Sequence, residues 1–366
     1  MLIQNKGLNM KKASVHLKQL ASCAVIGATL FAASPAQALF FNLTSTGNAQ
    51  ADAGFQAAAN YWSSIYTDNV TVNITAGFAA LGPGILGQAG STFYSTNYTA
   101  MKTALAADAK NAADATMVSG LSAGPSYSKL INGTTTNGGA THVQSGITSL
   151  QMTTANAKAL GLLGATATAD AAITFSSLFN FDFNQTDGID AGKYDFVGIA
   201  IHELGHAMGF ISGVDVLDYN SNGPGVNGRF ADSDFNPFAS VLDFTRCSAA
   251  SQGAGADMDW TIGKGAKDFA IDGNCTAVVS NAWSTGVTFG DGRQASHWKD
   301  GFGIGIMDPT AMPTGFLNVV TDNDLLAFDV IGWDRQTSAV PEPMSILLFG
   351  TGLFGMSFAR RNKKVA

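Results

Sequence analysis

His202-Glu203-Leu204-Gly205-His206 sets two imidazoles four residues apart, with a carboxylate beside the first. On a helix, residues four apart stand one turn above each other, so both rings reach a single cation from the same face. Zinc (Zn2+) suits nitrogen donors in this pattern, and it brings the pKa of a bound water down toward neutrality. Glu203, turned toward that water, is then placed to take its proton. With 5 histidines in the chain and glutamate only at Glu203 and Glu342, an accidental match is expected on the order of 10⁻³ times. Aspartate fills every other acidic position.

A catalytic zinc site takes three protein ligands and keeps one position open. Beyond the N-terminal leader the remaining histidines are His142 and His297. His297 precedes Trp298 and stands ten residues before Met307, in Gly305-Ile306-Met307-Asp308-Pro309. Asp215 and Asp218 follow the helix closely and compete for the third position; His142, on a polar segment, is a remoter candidate.

Gly209-Phe210 extends the pattern to His-x-x-Gly-Phe, and here the sequence resembles the metzincin branch of zinc peptidases. In that family the glycine turns the chain so that a His or Asp three residues later approaches the same ion. Ser212 holds that place in this chain, a departure that sends the third ligand elsewhere. The late His297 and Met307 resemble the leishmanolysin-like arrangement, in which a large insertion separates the helix glycine from the third histidine and a methionine turn follows. The resemblance implies zinc held by His202, His206 and His297 and a base at Glu203. It also implies Met307, with Met312 as fallback, as an apolar floor beneath the metal, and hydrolysis of protein or peptide bonds. It covers the active-site helix and Ser296 to Trp333; the N-terminal part matches in element order alone. No cysteine lies between the leader and the helix, so cysteine-based latency is not expected.

Periodicity supplies the elements that must carry these residues. Residues 51–66 place Phe55, Ala59, Tyr61, Trp62 and Tyr66 on one helical face, and Val70 to Ile74 alternates like a strand. Asn97 to Ala113 and Thr153 to Leu163 read as helices, and Ala172 to Phe175 as a strand. Tyr194 to Ile211 has the broad apolar surface of a buried helix, ended by Gly209 or Gly213. Residues 212–295, rich in Gly, Asn, Asp and Ser, read as a loop-rich insertion, and order returns from Ser296 through Trp333. The expected fold class is α/β (α+β): a metzincin-like mixed sheet, an active-site helix and a loop-rich C-terminal subdomain. A substrate would cross the cleft above the helix, along the edge of a strand near Ala172 to Ser176.

Both ends read as processing signals around a catalytic domain at 39–335. Lys6, Lys11, Lys12 and Lys18, an apolar run from Ala21 to Ala33 and Ala36-Gln37-Ala38 make residues 1–38 a secretory signal peptide. Met10 serves equally well as its start. Cys23 precedes the apolar run, the wrong order for a lipoprotein box. At the other end, residues 340–366 hold Val340-Pro341-Glu342-Pro343, an apolar stretch from Met344 to Ala359, then Arg360, Arg361, Lys363 and Lys364. This layout resembles a PEP-CTERM sorting tail. That implies removal by an exosortase during export to the surface or extracellular matrix of a Gram-negative-type bacterium, with only transient membrane contact. A permanent anchor is the alternative, though about 16 apolar residues are short for a full span. Setting both ends aside leaves about 12 basic against about 26 acidic residues, an acidic surface that argues against nucleic acid. Cys247 and Cys275 remain, and an exported pair favours a disulfide.

Other patterns are weaker. Gly120-Leu-Ser122-Ala-Gly124 spells a serine-hydrolase elbow without the strand before it, and Gly223 to Gly228 spells a dinucleotide loop without one either. Asp218, Asn220 and Asn222 begin a calcium (Ca2+) loop, but Arg229 stands where a bidentate Glu is required. Asp182, Asn184, Asp187 and Asp190 crowd another turn; for both clusters solvated Asx turns are the favoured reading over bound calcium. The expectation is thus an exported zinc endopeptidase, against a rival reading as a matrix or adhesion protein whose zinc site is structural or idle.

Overall fold

The computed structural model describes residues 39–336; the leader with its cleavage point and the C-terminal sorting segment lie outside the described residues. The chain opens with strand β1 (Phe40–Leu43), helix α1 (Ala49–Ile65), β2 (Thr71–Ala79), β3 (Gly87–Ser91) and β4 (Phe93–Asn97). Helices α2 (Tyr98–Asp108) and α3 (Ala112–Gly120) follow, then β5 (Tyr127–Ile131), β6 (His142–Ile147), β7 (Ser149–Thr153), α4 (Thr154–Ala159) and β8 (Ala171–Ser176). The main sheet runs β1-β2-β8-β3, with β1, β2 and β8 parallel and β3 antiparallel to β8. Strands β4 and β7, and β5 and β6, form two separate antiparallel ribbons. Ala171, Ile173 and Phe175 of β8 point inward at the strand period of two.

Short strands β9 (Phe181–Asp182) and β10 (Tyr194–Asp195) lead into α5 (Phe196–Met208), the helix that carries the His-Glu-x-x-His pattern. Asp195 caps α5 by accepting the Gly198 N–H at 2.9 Å. Gly209, at φ +122°, ends the helix in backbone space that a side chain would strain. Helix α1 buries Ala51, Phe55, Ala58, Ala59 and Trp62 on one stripe, and the Trp62 indole N–H donates to the Ile201 carbonyl of α5 at 3.0 Å. Gly54 makes the approach possible, since a Cβ there would lie 2.4 Å from the Phe196 ring.

After α5 come α6 (Val214–Asn220), α7 (Asp232–Phe235), β11 (Arg246–Cys247), α8 (Ala249–Ala254), β12 (Asp268–Phe269) and, after a long irregular stretch, α9 (Asp322–Asp329). The described chain is therefore a mixed α/β fold with several small sheets. Among the described residues no helix is long and apolar enough to cross a membrane. The insertion is irregular yet packed: Trp260 and Trp283 are buried in it, and a disulfide joins Cys247 to Cys275 with their Cα atoms 5.8 Å apart.

The structure differs from the sequence reading in several places, among them Tyr194 and Asp195, expected in the helix and found in strand β10. The helix expected over Asn97 to Ala113 is two helices, because Asn111 accepts the N–H groups of Ala113 and Asp114 and starts a new cap. The helix expected to reach Leu163 stops at Ala159, and Gly161 at φ +65° turns the chain. Strand β8 is not an edge: it is hydrogen-bonded to β2 on one side and β3 on the other, so the edge beside α5 belongs to β3.

Candidate metal centre

Three imidazoles meet at the C-terminal half of α5. The Nε2 atom of His206 lies 3.1 Å from that of His202 and 3.1 Å from that of His297, which arrives from 91 residues further along the chain. Each ring uses its other nitrogen on a backbone carbonyl. His202 Nδ1 meets Ile306 O at 2.7 Å, His206 Nδ1 meets Phe210 O at 2.8 Å, and His297 Nδ1 meets Gln294 O at 3.3 Å. A carbonyl oxygen can only accept, so each Nδ1 carries the proton and each Nε2 presents a lone pair.

Burial opposes a second proton on any ring. It lowers His202, holds His206 at about 3 with the His202 ring adding to the effect, and depresses His297 well below the usual imidazole range. Three bare lone pairs converging in a buried place repel one another unless a cation sits among them. A tetrahedral ion with metal–nitrogen bonds of about 2.0–2.1 Å sets its ligand atoms about 3.3 Å apart, close to the spacing found here. The residues therefore fit zinc. Among the described residues these three form the His, Cys, Asp and Glu group whose donor atoms converge within 4.8 Å.

Glu203 sits beside the trio on the same helix, 6% exposed. Burial alone pushes its carboxyl up to about 8. Gly87 of β3 packs against it, for a Cβ there would stand 3.1 Å from Glu203 Oε1 and 3.2 Å from the Phe175 ring. The Ser91 hydroxyl of the same strand donates to the His206 carbonyl at 3.2 Å, tying β3 to α5. The glycine and its strand carried no sequence signal beyond local Gly richness.

Met307 is fully buried directly against α5: a Cβ on Gly205, between the two histidines, would meet its sulfur at 2.6 Å. Met312 is 45% exposed. The competing ligands turn elsewhere. Asp215 accepts from the N–H groups of Ala295 and Ser296 and from the Ser296 hydroxyl, and Asp218 from the N–H groups of Thr288 and Phe289. His142 pairs with Asp232 at 2.8 Å. Ser212, at the place where a compact third ligand would stand, donates its N–H to Ser296 Oγ at 2.8 Å and its hydroxyl to Asp243.

The discounted patterns are spent locally as well. Ser122 follows helix α3 and donates to Asp257. Gly228 lies with its N–H on Thr134 O at 2.8 Å. The two oxygens of Asp182 accept from the N–H groups of Asn184 and Asp190, and Asn222 pairs with Arg229 and Asn227.

Three imidazoles, one buried carboxylate and a buried methionine define the class of site: a donor set that would fit a tetrahedral divalent cation. Comparison with known proteins speaks to the other end of the chain. Residues 339–364 match the PEP-CTERM protein-sorting motif. The motif marks an exported protein of Gram-negative-type bacteria whose tail is processed by an exosortase-type enzyme. No curated protein and no solved structure is detectably similar to this chain.

Proposed function

We propose that the chain is an exported zinc-dependent endopeptidase of metzincin-like construction. The observation that carries the reading is the convergence of three unprotonated Nε2 atoms beside the single glutamate of the described chain. When bound there, zinc would lower the pKa of a water and polarise a peptide carbonyl.

The chain's own residues supply the rest. The carbonyls of Ile306, Phe210 and Gln294 hold the three rings in one tautomer. Glu203, whose charged form a cation held by the neighbouring trio would favour, takes a proton from an attacking water and returns it to the departing amine. Strand β3 ends the sheet on the α5 side, so its outer edge offers N–H and C=O groups to an extended peptide lying across Glu203. Water is excluded from beneath the trio by Met307 and Phe328, both fully buried.

Metal analysis and hydrolysis of casein or a peptide library test this directly. Glu203→Ala is expected to keep its zinc and lose about 10²–10⁴-fold in rate. A wild type that binds zinc yet hydrolyses nothing would favour a structural site in a matrix protein, and a Glu203→Ala variant as fast as wild type would remove the assigned base.

A further inference from the structure

What orients the rings lies one peptide bond further out. The carbonyl of Gln294, which accepts the His297 Nδ1–H, and the N–H of Ala295 belong to the same peptide plane, and that N–H donates to Asp215. The carbonyl of Ile306, which accepts the His202 Nδ1–H, shares its plane with the Met307 N–H, and that N–H donates to Asp324 at 3.2 Å. The same connection occurs twice, once behind His202 of α5 and once behind His297, far along the chain. We propose that Asp215 and Asp324 are positioning residues of the metal centre, each acting on one imidazole through a single peptide plane.

Both carboxylates are built into their places. Asp215 opens α6 and also accepts from the Ser296 N–H at 3.1 Å and from the Ser296 hydroxyl. Asp324 opens α9, is fully buried, and accepts from the Ile306 N–H at 2.8 Å, the Thr321 N–H at 2.8 Å and the Trp298 indole N–H at 2.7 Å. Gly305 leaves room for it, since a Cβ at that position would fall 2.0 Å from its carboxylate.

A negative charge at the N–H end of a peptide polarises the C=O end and makes it a stronger acceptor. The imidazole leaning on that carbonyl is held more firmly and presents a more electron-rich Nε2 to a metal. His206 provides the internal contrast. Its carbonyl partner, Phe210 O, belongs to a plane whose N–H, that of Ile211, bonds to the neutral Gly209 carbonyl at 2.8 Å. Ser212, placed where a compact site would supply a third ligand, and Asp215 just beyond it thus hold the remote segment that carries one.

This inference rests on the zinc reading, and the test separates the two. The full chain and its Asp215→Asn, Asp324→Asn and Asp243→Asn variants are titrated with zinc against a chromophoric chelator. They are then loaded with Co2+ for NMR of the exchangeable ring N–H protons. Asp243 is a buried carboxylate on Ser212, Gly213 and Ser240 that touches neither relay peptide, and it serves as control. Asp215→Asn and Asp324→Asn are each expected to lose about 10–100-fold in zinc affinity, with Asp243→Asn within about threefold of wild type. In the Co2+ spectra, Asp215→Asn should move the His297 signal alone and Asp324→Asn the His202 signal alone. Equal affinities, or signals that shift together, overturn the relays. So does failure of both relay variants to fold with metal present while Asp243→Asn folds, since the carboxylates would then serve the fold alone. A wild type that binds no zinc overturns the site itself.

Discussion

Replacing Glu203 by glutamine in metal-free protein removes a carboxyl that burial holds at about 8 in the fold, against an ordinary value of 4.5. Because the folded chain keeps this proton to higher pH than the unfolded chain does, it binds more protons between pH 4.5 and 8. Stability contributed by the neutral carboxyl is complete below pH 4.5 and is lost as pH rises through 8. At 1.36 kcal/mol per pKa unit the gap amounts to roughly 4–5 kcal/mol, and at 6% exposure solvent screening removes little of it. The assay is urea unfolding of chelator-treated wild type and Glu203→Gln at about pH 5 and about pH 8.5. Asp68 and Asp108, raised to about 7 by burial, and Asp215, Asp308 and Asp329, raised to about 6, tilt both curves alike. The difference between the two proteins therefore reports Glu203. The variant should gain roughly 3–5 kcal/mol on wild type across the interval, and saturating zinc should flatten wild type, since a cation beside the carboxylate favours its charge. Parallel curves, within about 0.5 kcal/mol, would mean that the carboxyl is hydrated and would refute the account of its burial.

Met307→Ala should cost about 2–5 kcal/mol in chemical denaturation, while Met307→Leu should cost less than about 1.5 kcal/mol and keep its zinc; loss of metal in the leucine variant would make the thioether a ligand. Gly87→Ala sets a Cβ 3.1 Å from Glu203 Oε1, so kcat should fall about 10–100-fold with zinc content unchanged, and an unaltered kcat would show that β3 yields easily. The double variant Cys247→Ala/Cys275→Ala opens a loop of sequence separation 28 and should lose about 3–4 kcal/mol; a change below about 1 kcal/mol would mean that the insertion is held by packing alone.

The parts of this molecule that were legible in the sequence are those fixed by local periodicity and by scarcity. Helix α5 could be read because its apolar surface repeats at the helical period and Gly209 closes it. His297 stood out because so few histidines compete with it. Strand β3 was invisible for the opposite reason: Gly-Gln-Ala-Gly-Ser has neither β-branched residues nor alternation, and it is a strand only because β8 pairs with it. Asp215 was legible only as a competitor for the third ligand position, and Asp324 carried no signal beyond that of an acidic residue near a helix start, where capping is the ordinary explanation. Asp324 does cap, closing a box with Thr321, yet the same carboxylate reaches the peptide behind His202. Such a second use depends on where a distant segment comes to rest, which no local pattern encodes.

That distance shapes how the centre can form. Bringing His297 onto His206 closes a loop of 91 residues, an entropic cost of about 4 kcal/mol that a metal would otherwise have to offset from its own binding energy. Here protein contacts carry the closure. Ser284 N–H meets the His297 carbonyl at 3.1 Å, Trp298 N–H meets the Met307 carbonyl at 2.9 Å, and Asp215 gathers Ala295 and Ser296. Five buried tryptophans and a disulfide stiffen the surroundings. Chelation should therefore leave a cooperatively folded protein with intact near-ultraviolet circular dichroism, and zinc should raise its thermal midpoint only by the ordinary linkage of a ligand that binds the native state. Collapse of the tertiary signal on chelation, as in domains whose folding is metal binding, would show that these contacts do not close the loop unaided.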